Sequence, residues 1–178
     1  MQEYRHNDPL AIWKQFPVPY AYEPIVSSGM RKEIDKCFEI YNQLKPGLFE
    51  NGVLPKIKVS MDNLGSRGGT LARATWTYTI SSLSITRGTI TFDTNESWAW
   101  LSQESCGAYD STYDIGNVGV HEIGHLMGLA HAPSNPLQTM YATTSPGART
   151  VSNCIFPHHS RAEPSSSRTV IVDTKDLF

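Results

Sequence analysis

The spacing of three histidines within one short stretch constrains the fold of this chain more than any other feature of its sequence. The stretch reads HEIGHLMGLAH and runs from His121 to His131. His121 and His125 are four residues apart, and on an α-helix this spacing brings both imidazoles to one face, one turn apart. A continuous helix would point His131 well away from that face. The chain must therefore turn sharply for the third imidazole to join the other two.

Gly128 stands where this turn is needed, because glycine reaches positive φ without a steric penalty. The spacing predicts a helix that starts near residues 115–118 and runs to about residue 128, followed by a returning third histidine. A lone histidine in an amphipathic helix is more often a core residue than a ligand. Five fixed positions at this spacing favour a metal site instead.

Three neutral imidazoles suit zinc and leave its fourth position open for water, which is the arrangement of catalytic rather than structural zinc sites. Zinc lowers the pKa of such a water to about 7 and polarises a substrate carbonyl. Glu122, beside His121, is placed to accept the proton of that water and to pass it to a leaving amine. A purely structural zinc site is the alternative, but it needs no such carboxylate. We therefore predict one catalytic zinc, held by His121, His125 and His131, with Glu122 as general base.

The segments before this stretch favour an α/β fold. Ser27 and Ser28 are candidate N-caps of a helix whose apolar residues keep a helical period to residue 44, and Pro46 and Gly47 end it. β-Branched, aromatic or alternating residues predict four strands, at residues 18–22, 56–61, 75–80 and 88–92. Residues 93–113 are expected to be a loop. This order of elements predicts helices packed on a twisted sheet.

Length and composition fit one soluble globular domain. With 178 residues and a net charge of −2, the chain gives no reason to expect a nucleic-acid partner. It contains no apolar run near the roughly 20 residues that span a bilayer and no visible signal peptide. We expect the catalytic domain to cover residues 1–159, with a flexible tail at residues 160–178. Of three cysteines, Cys37 is expected in the core, while Cys106 and Cys154 are the better candidates for a disulfide.

The motif HExxHxxGxxH followed by a methionine is the metzincin signature, and the methionine here is Met140, within Thr139-Met140-Tyr141. Among metzincins the chain most resembles the matrixin catalytic domain. Residues 68–74 (GGTLARA) resemble that family's GGTLAHA segment, and residues 92–98 (FDTNESW) resemble its FDDDExW segment. The resemblance extends from about residue 18 to about residue 141.

The resemblance implies a zinc endopeptidase with a protein or peptide substrate, expected to be a monomer and to be secreted. It implies a mostly parallel sheet of about five strands with an antiparallel edge strand, a backing helix and an active-site helix. Met140 would pack beneath the metal site without ligating it, and Gly128 would support the turn. An extended peptide would lie antiparallel to the edge strand, expected near residues 88–93.

The chain departs from the family pattern at several positions. Arg73 and Thr91 stand where the family has histidines that hold a structural zinc, so we expect no second zinc. Asp93 and Glu96 match two calcium ligands of the family, although Gly65 replaces an aspartate; calcium and simple solvated acids are both open. No PRCGxPD segment occurs, and residues 142–178 show no helical pattern. These departures leave a non-catalytic zinc- or peptide-binding module, a decayed protease, as the alternative function.

Overall fold

The computed structural model describes residues 11–99, 112–131, 139–142 and 144. Residues 160–178, where we predict a tail, and Cys106 and Cys154 lie outside this part. In chain order the elements are β1 (Val18–Tyr22), α1 (Ser28–Leu44), β2 (Phe49–Asn51), β3 (Ile57–Asp62), β4 (Ala72–Thr79), β5 (Ser84–Asp93), β6 (Trp98–Ala99), β7 (Tyr113–Asp114) and α2 (Ile115–Leu126).

Five strands form the main sheet in the order β2-β1-β3-β5-β4. All neighbouring pairs are parallel except β4 and β5, which form an antiparallel hairpin. The predicted fold, a mostly parallel sheet with an antiparallel edge strand and two helices, is confirmed. β6 and β7 form a separate parallel pair.

The prediction that residues 88–93 form the edge strand is wrong. β5 lies inside the sheet, between β3 and β4, and the edge strand is β4. The side chains explain the order, because Ile90 and Phe92 of β5 are fully buried, whereas the residues of β4 alternate between partly buried and exposed. A strand whose inner face is fully apolar is stabilised by an interior position more than a threonine-rich strand is.

Helix α1 follows its sequence pattern closely. The Ser27 side chain accepts a hydrogen bond from the backbone N–H of Met30 and caps the first turn. The apolar positions form one buried face, comprising Met30, Ile34, Cys37, Phe38 and Tyr41. Phe38 stacks on Tyr20 of β1 with 3.8 Å between ring centroids, so the helix covers the sheet through this face. Cys37 is buried in the core as a free thiol, as predicted.

Helix α2 is held between α1 and the sheet. The Tyr41 hydroxyl donates a hydrogen bond to the carbonyl of Val120 at 2.9 Å. At the other end of α2, Leu126 packs so closely on Gly88 of β5 that a Cβ there would lie 3.0 Å from a Leu126 methyl carbon. Glycine on β5 thus lets the end of α2 approach the sheet. Within the described ranges, no helix is long and apolar enough to cross a membrane.

Candidate metal centre

The turn that follows α2 has the form that the histidine spacing requires. Asp114 caps the start of α2 by accepting from the backbone N–H groups of Gly116 and Asn117. After Leu126 the chain reverses at Gly128, whose φ of +89° lies in the left-handed region that favours glycine. The backbone N–H groups of residues 127–129 donate back to the carbonyls of residues 123–125 and close the helix.

The turn brings the three predicted ligands together through one atom each. The Nε2 atoms of His121 and His125 are 3.0 Å apart, and those of His125 and His131 are 3.1 Å apart. The remaining pair, His121 and His131, is separated by 3.3 Å. Three nitrogens bound tetrahedrally at the Zn–N length would be about 3.3 Å from one another. The triangle therefore has the size of a zinc site.

Hydrogen bonds at the Nδ1 atoms hold two of the rings in the tautomer that a metal needs. Nδ1 of His121 lies 2.7 Å from the carbonyl oxygen of Thr139, and Nδ1 of His125 lies 2.9 Å from that of Leu129. A carbonyl oxygen only accepts, so both Nδ1 atoms carry the proton and both Nε2 atoms present lone pairs. Two lone pairs 3.0 Å apart repel each other unless a cation lies between them. The donor set therefore fits zinc.

Burial also favours the neutral form of these imidazoles. Desolvation lowers the pKa of His121 below its usual value, and the hydrogen bond to the Thr139 carbonyl only partly opposes this. Desolvation, followed by the nearby His121 ring, lowers the pKa of His125 to about 4. Neutral imidazole is the form that binds a metal ion, so the two side chains are ready to bind near neutral pH.

Glu122, next in sequence to His121, lies against the edge strand β4. The side chain is only 6% exposed, and desolvation raises its pKa to about 7 although a hydrogen bond with the Ala74 backbone opposes the shift. Asp93 donates its backbone N–H to the Leu71 carbonyl, and antiparallel pairing alternates, so the backbone groups of Ala74 face away from β5. In the described part of the chain β4 has β5 as its single neighbour, and Glu122 sits at the opposite, open edge.

Met140 packs against the backbone of α2 between the first two ligands. A Cβ added to Gly124 would overlap the Met140 sulfur and lie 2.9 Å from the Tyr41 hydroxyl oxygen. Gly124 therefore lets the methionine reach the helix from below the site. This position suits the predicted packing role of Met140, and the role itself stays a prediction.

Several groups at the site were not predicted from the sequence. Gly124 lies inside the motif, and its small size next to two ligands was an available signal. The carbonyls of Thr139 and Leu129 and the backbone of Ala74 are main-chain groups, which residue types do not reveal. Their positions depend on the turn and on strand register.

Asp93 and Glu96 occupy a second, polar site at the end of β5. Asp93 is fully buried and Glu96 is 8% exposed, so the alternative of simple solvated acids is wrong. One oxygen of Asp93 accepts from the backbone of Leu64 and Asn95, and one oxygen of Glu96 accepts from the backbone of Gly68. The other oxygens, Oδ2 of Asp93 and Oε2 of Glu96, are buried without a hydrogen-bond partner. Two such orphaned carboxylate oxygens fit a hard cation such as calcium.

At the place of the family's structural zinc, the structure pairs Arg73 with Thr91 across β4 and β5. Arg73 is exposed, and the Thr91 hydroxyl lies 3.2 Å from the Ser60 hydroxyl. Neither side chain is a usual zinc ligand. The absence of a second zinc stays a prediction.

Comparison with known proteins gives two findings. The model of a peptidase family described as matrixin matches residues 56–153, which is more than half of the 178-residue chain. Metalloendoproteinase 1 from Glycine max is 38% identical over 66 residues, which cover 37% of this chain and 21% of that protein. The matched stretch thus spans about a fifth of that relative's length.

Proposed function

The chain belongs to the matrixin family of peptidases, and from this premise we propose that it is a zinc-dependent endopeptidase that cleaves protein or peptide substrates. One observation carries the proposal. Three Nε2 atoms converge within 3.3 Å of one another, and Glu122, next in sequence to His121, reaches the open edge of the sheet. We propose that these ligands, the Glu122 carboxylate and the edge of β4 act together on one substrate.

His121, His125 and His131 would hold the ion. When bound, zinc supplies Lewis-acid activation of a water molecule and of the substrate carbonyl. Glu122 is the proton carrier in this scheme: its carboxylate accepts the proton of the attacking water and returns it to the leaving amine. In the metal-free protein burial raises the pKa of Glu122 to about 7, and a bound cation would lower it toward the carboxylate form that accepts a proton.

An extended substrate would align along the edge strand β4. The outward backbone groups of Ala72 and the outward carbonyl of Ala74 can form main-chain hydrogen bonds to an extended peptide, which would add a strand to the sheet. Because Glu122 contacts Ala74, a peptide held along this edge lies beside the proton carrier. The hydrogen bond from Ala74 would then hold the Glu122 carboxylate beside the bound peptide.

We further propose that Asp93 and Glu96 bind one calcium ion, with their buried, unpartnered oxygens as ligands. The ion would join the β3–β4 connection, through Leu64 and Gly68, to the end of β5. We also propose that the protein is secreted, which rests on the family alone; detection of the native protein outside cells would support it, and exclusive retention inside cells would refute it.

The substitution Glu122→Gln tests the function. It preserves shape but removes the proton acceptor, so we expect zinc to bind while hydrolysis of a quenched peptide falls by about 10³-fold or more. Glu50→Gln, at an exposed position of β2, is the matched control and should hydrolyse normally. Chelation with 1,10-phenanthroline should abolish wild-type hydrolysis.

Two results would count against this proposal. Wild-type-like hydrolysis by E122Q would remove Glu122 from the mechanism. Zinc binding by the wild-type protein without any chelator-sensitive cleavage across a peptide library would favour the non-catalytic module. His131→Ala tests the proposed ligand set. This variant should bind zinc more weakly than the wild-type protein, because it lacks one of three ligands.

A further inference from the structure

The N-terminal segment of the described chain reaches the end of the active-site helix. Trp13 is 4% exposed, and its indole Nε1–H donates a hydrogen bond to the carbonyl of Leu126 at 2.9 Å. Leu126 is the last residue of α2 and directly follows the ligand His125. A residue from the start of the chain is thus bonded to the point where the chain leaves the helix.

This carbonyl is one that the helix does not satisfy by itself. The last carbonyls of a helix have no partner among the helix's own N–H groups. The N–H groups of Met127, Gly128 and Leu129 donate to carbonyls of residues 123–125, and the next carbonyl in line is that of Leu126. The Trp13 indole supplies the donor for it.

The segment that carries Trp13 is itself fixed to the sheet. The backbone N–H of Ile12 donates to the Leu83 carbonyl at 3.0 Å, and the N–H of Ile85 donates to the Ile12 carbonyl at 2.9 Å. On the other side, the Ala11 carbonyl oxygen would lie 3.7 Å from a Cβ at Gly128. Residues 11–13 therefore link the start of β5 to the turn that leads to His131.

We propose that Trp13 is a positioning residue of the metal site, which acts by holding the Leu126 carbonyl and so directing the chain from His125 through Gly128 to His131. The inference deepens the proposed function, since it takes the ion at the three histidines to be zinc. Without the indole N–H, the buried carbonyl would need another donor and the turn would shift to find one. A small shift there moves His131 relative to the two helical ligands.

Trp13→Phe keeps a buried ring and removes the donor. We expect its zinc affinity, measured by competition with a chromophoric chelator, to fall about tenfold, as for other groups that orient metal ligands. The d–d spectrum of the cobalt-substituted protein should change in parallel. Replacement of Trp13 by β-(3-benzothienyl)alanine, which keeps the bicyclic shape and lacks only the N–H, should weaken zinc equally and covers the case in which Phe packs too poorly for folding.

Tyr22→Phe is the matched control. It also deletes a partly buried hydroxyl that hydrogen-bonds a helix, through the Arg31 carbonyl and the Asp35 carboxylate, but that helix is α1 and not the one that carries the histidines. Its free energy of unfolding without metal should fall, while its zinc affinity should stay at the wild-type value. Wild-type zinc affinity in both Trp13 variants, or an equal loss in Y22F, would overturn the inference. Failure of the wild-type protein to cleave any peptide would refute the proposed function instead, and the zinc comparison would still decide the role of Trp13.

Discussion

At the scale of single residues, Gly124 in α2 leaves no room for a side chain. In Gly124→Ala the new methyl group would overlap the Met140 sulfur and lie 2.9 Å from the Tyr41 hydroxyl oxygen. One of them must move, and such overpacking typically destabilises by about 1–3 kcal/mol. Since Gly124 precedes His125, we expect zinc affinity and kcat to fall with the free energy of unfolding. Urea denaturation, chelator competition and peptide cleavage measure the three quantities.

The same substitution elsewhere in α2 provides the control. In Gly119→Ala the methyl group would lie 2.9 Å from the Cys37 sulfur, so stability should fall for the same reason. The clash there is with α1 and not with the methionine below the metal site. We expect G119A to keep its zinc affinity, and Cys37→Ala to restore its stability. A G124A protein that binds zinc as tightly as G119A would show that the Met140 contact does not affect the metal.

The sequence predicted side chains of the candidate site, three of which the structure brings together, but none of its main-chain groups. The histidines and Glu122 belong to a motif whose spacing has one simple geometric solution, and the structure brings the three imidazoles together. Trp13 bonds to the backbone carbonyl of Leu126, and Glu122 bonds to the backbone of Ala74. Such contacts depend on which strand and which helix end lie side by side, and residue type does not report that.

Among the helices and strands, the number of residues in each decided whether the sequence predicted it. Helix α1 and strand β1 match the expected positions because five or more residues express a period or a composition. The strands β2, β6 and β7 have two or three residues each and were not predicted. A strand of that length is defined by its pairing partner more than by its own sequence.

The β3–β4 connection and the segment after β5 would be joined by the proposed calcium ion. With Asp93 and Glu96 as ligands, calcium at about 100 times its Kd should raise Tm by roughly 5–10 °C. Glu96→Gln should abolish this response, because it removes one anionic ligand, whereas Glu50→Gln should respond as the wild-type protein does. Differential scanning calorimetry with calcium and with EGTA measures the shift. An equal rise in E96Q, or none in the wild-type protein, would show that these carboxylates bind no calcium.

The order of strands in the sheet is a property of the whole molecule, and here the prediction from the sequence was wrong. Both β4 and β5 were predicted as strands, but the local pattern did not show which lies at the edge. That order follows from the parallel pairing of β5 with β3, which joins segments distant in sequence. The strand order matters for the proposed function, because it moves the proposed substrate-binding edge to β4, the strand that contacts Glu122.

Folding of the whole chain buries one carboxyl group and two imidazoles of α2. In the zinc-free protein their protonation changes the free energy of unfolding with pH in opposite directions. The pKa of Glu122 is raised from 4.5 to about 7, so the folded state binds more protons than the unfolded state between these values. This contribution to stability is lost as pH rises through that range. The pKa of His125 is lowered from 6.5 to about 4, so its contribution is instead lost as pH falls.

Glu122→Gln separates the two contributions, because the amide does not titrate. In EDTA-treated protein, the free energy of unfolding of E122Q minus that of the wild type should grow as pH rises from 4.5 to 7, by an amount on the order of 3 kcal/mol at most. E122Q alone should become more stable as pH rises from 4 to 6.5, because the histidine contribution then stands without its opponent. Urea titrations at five pH values measure both curves. A constant difference between the two proteins would mean that Glu122 titrates alike in the folded and unfolded states, and that burial against β4 does not hold its proton.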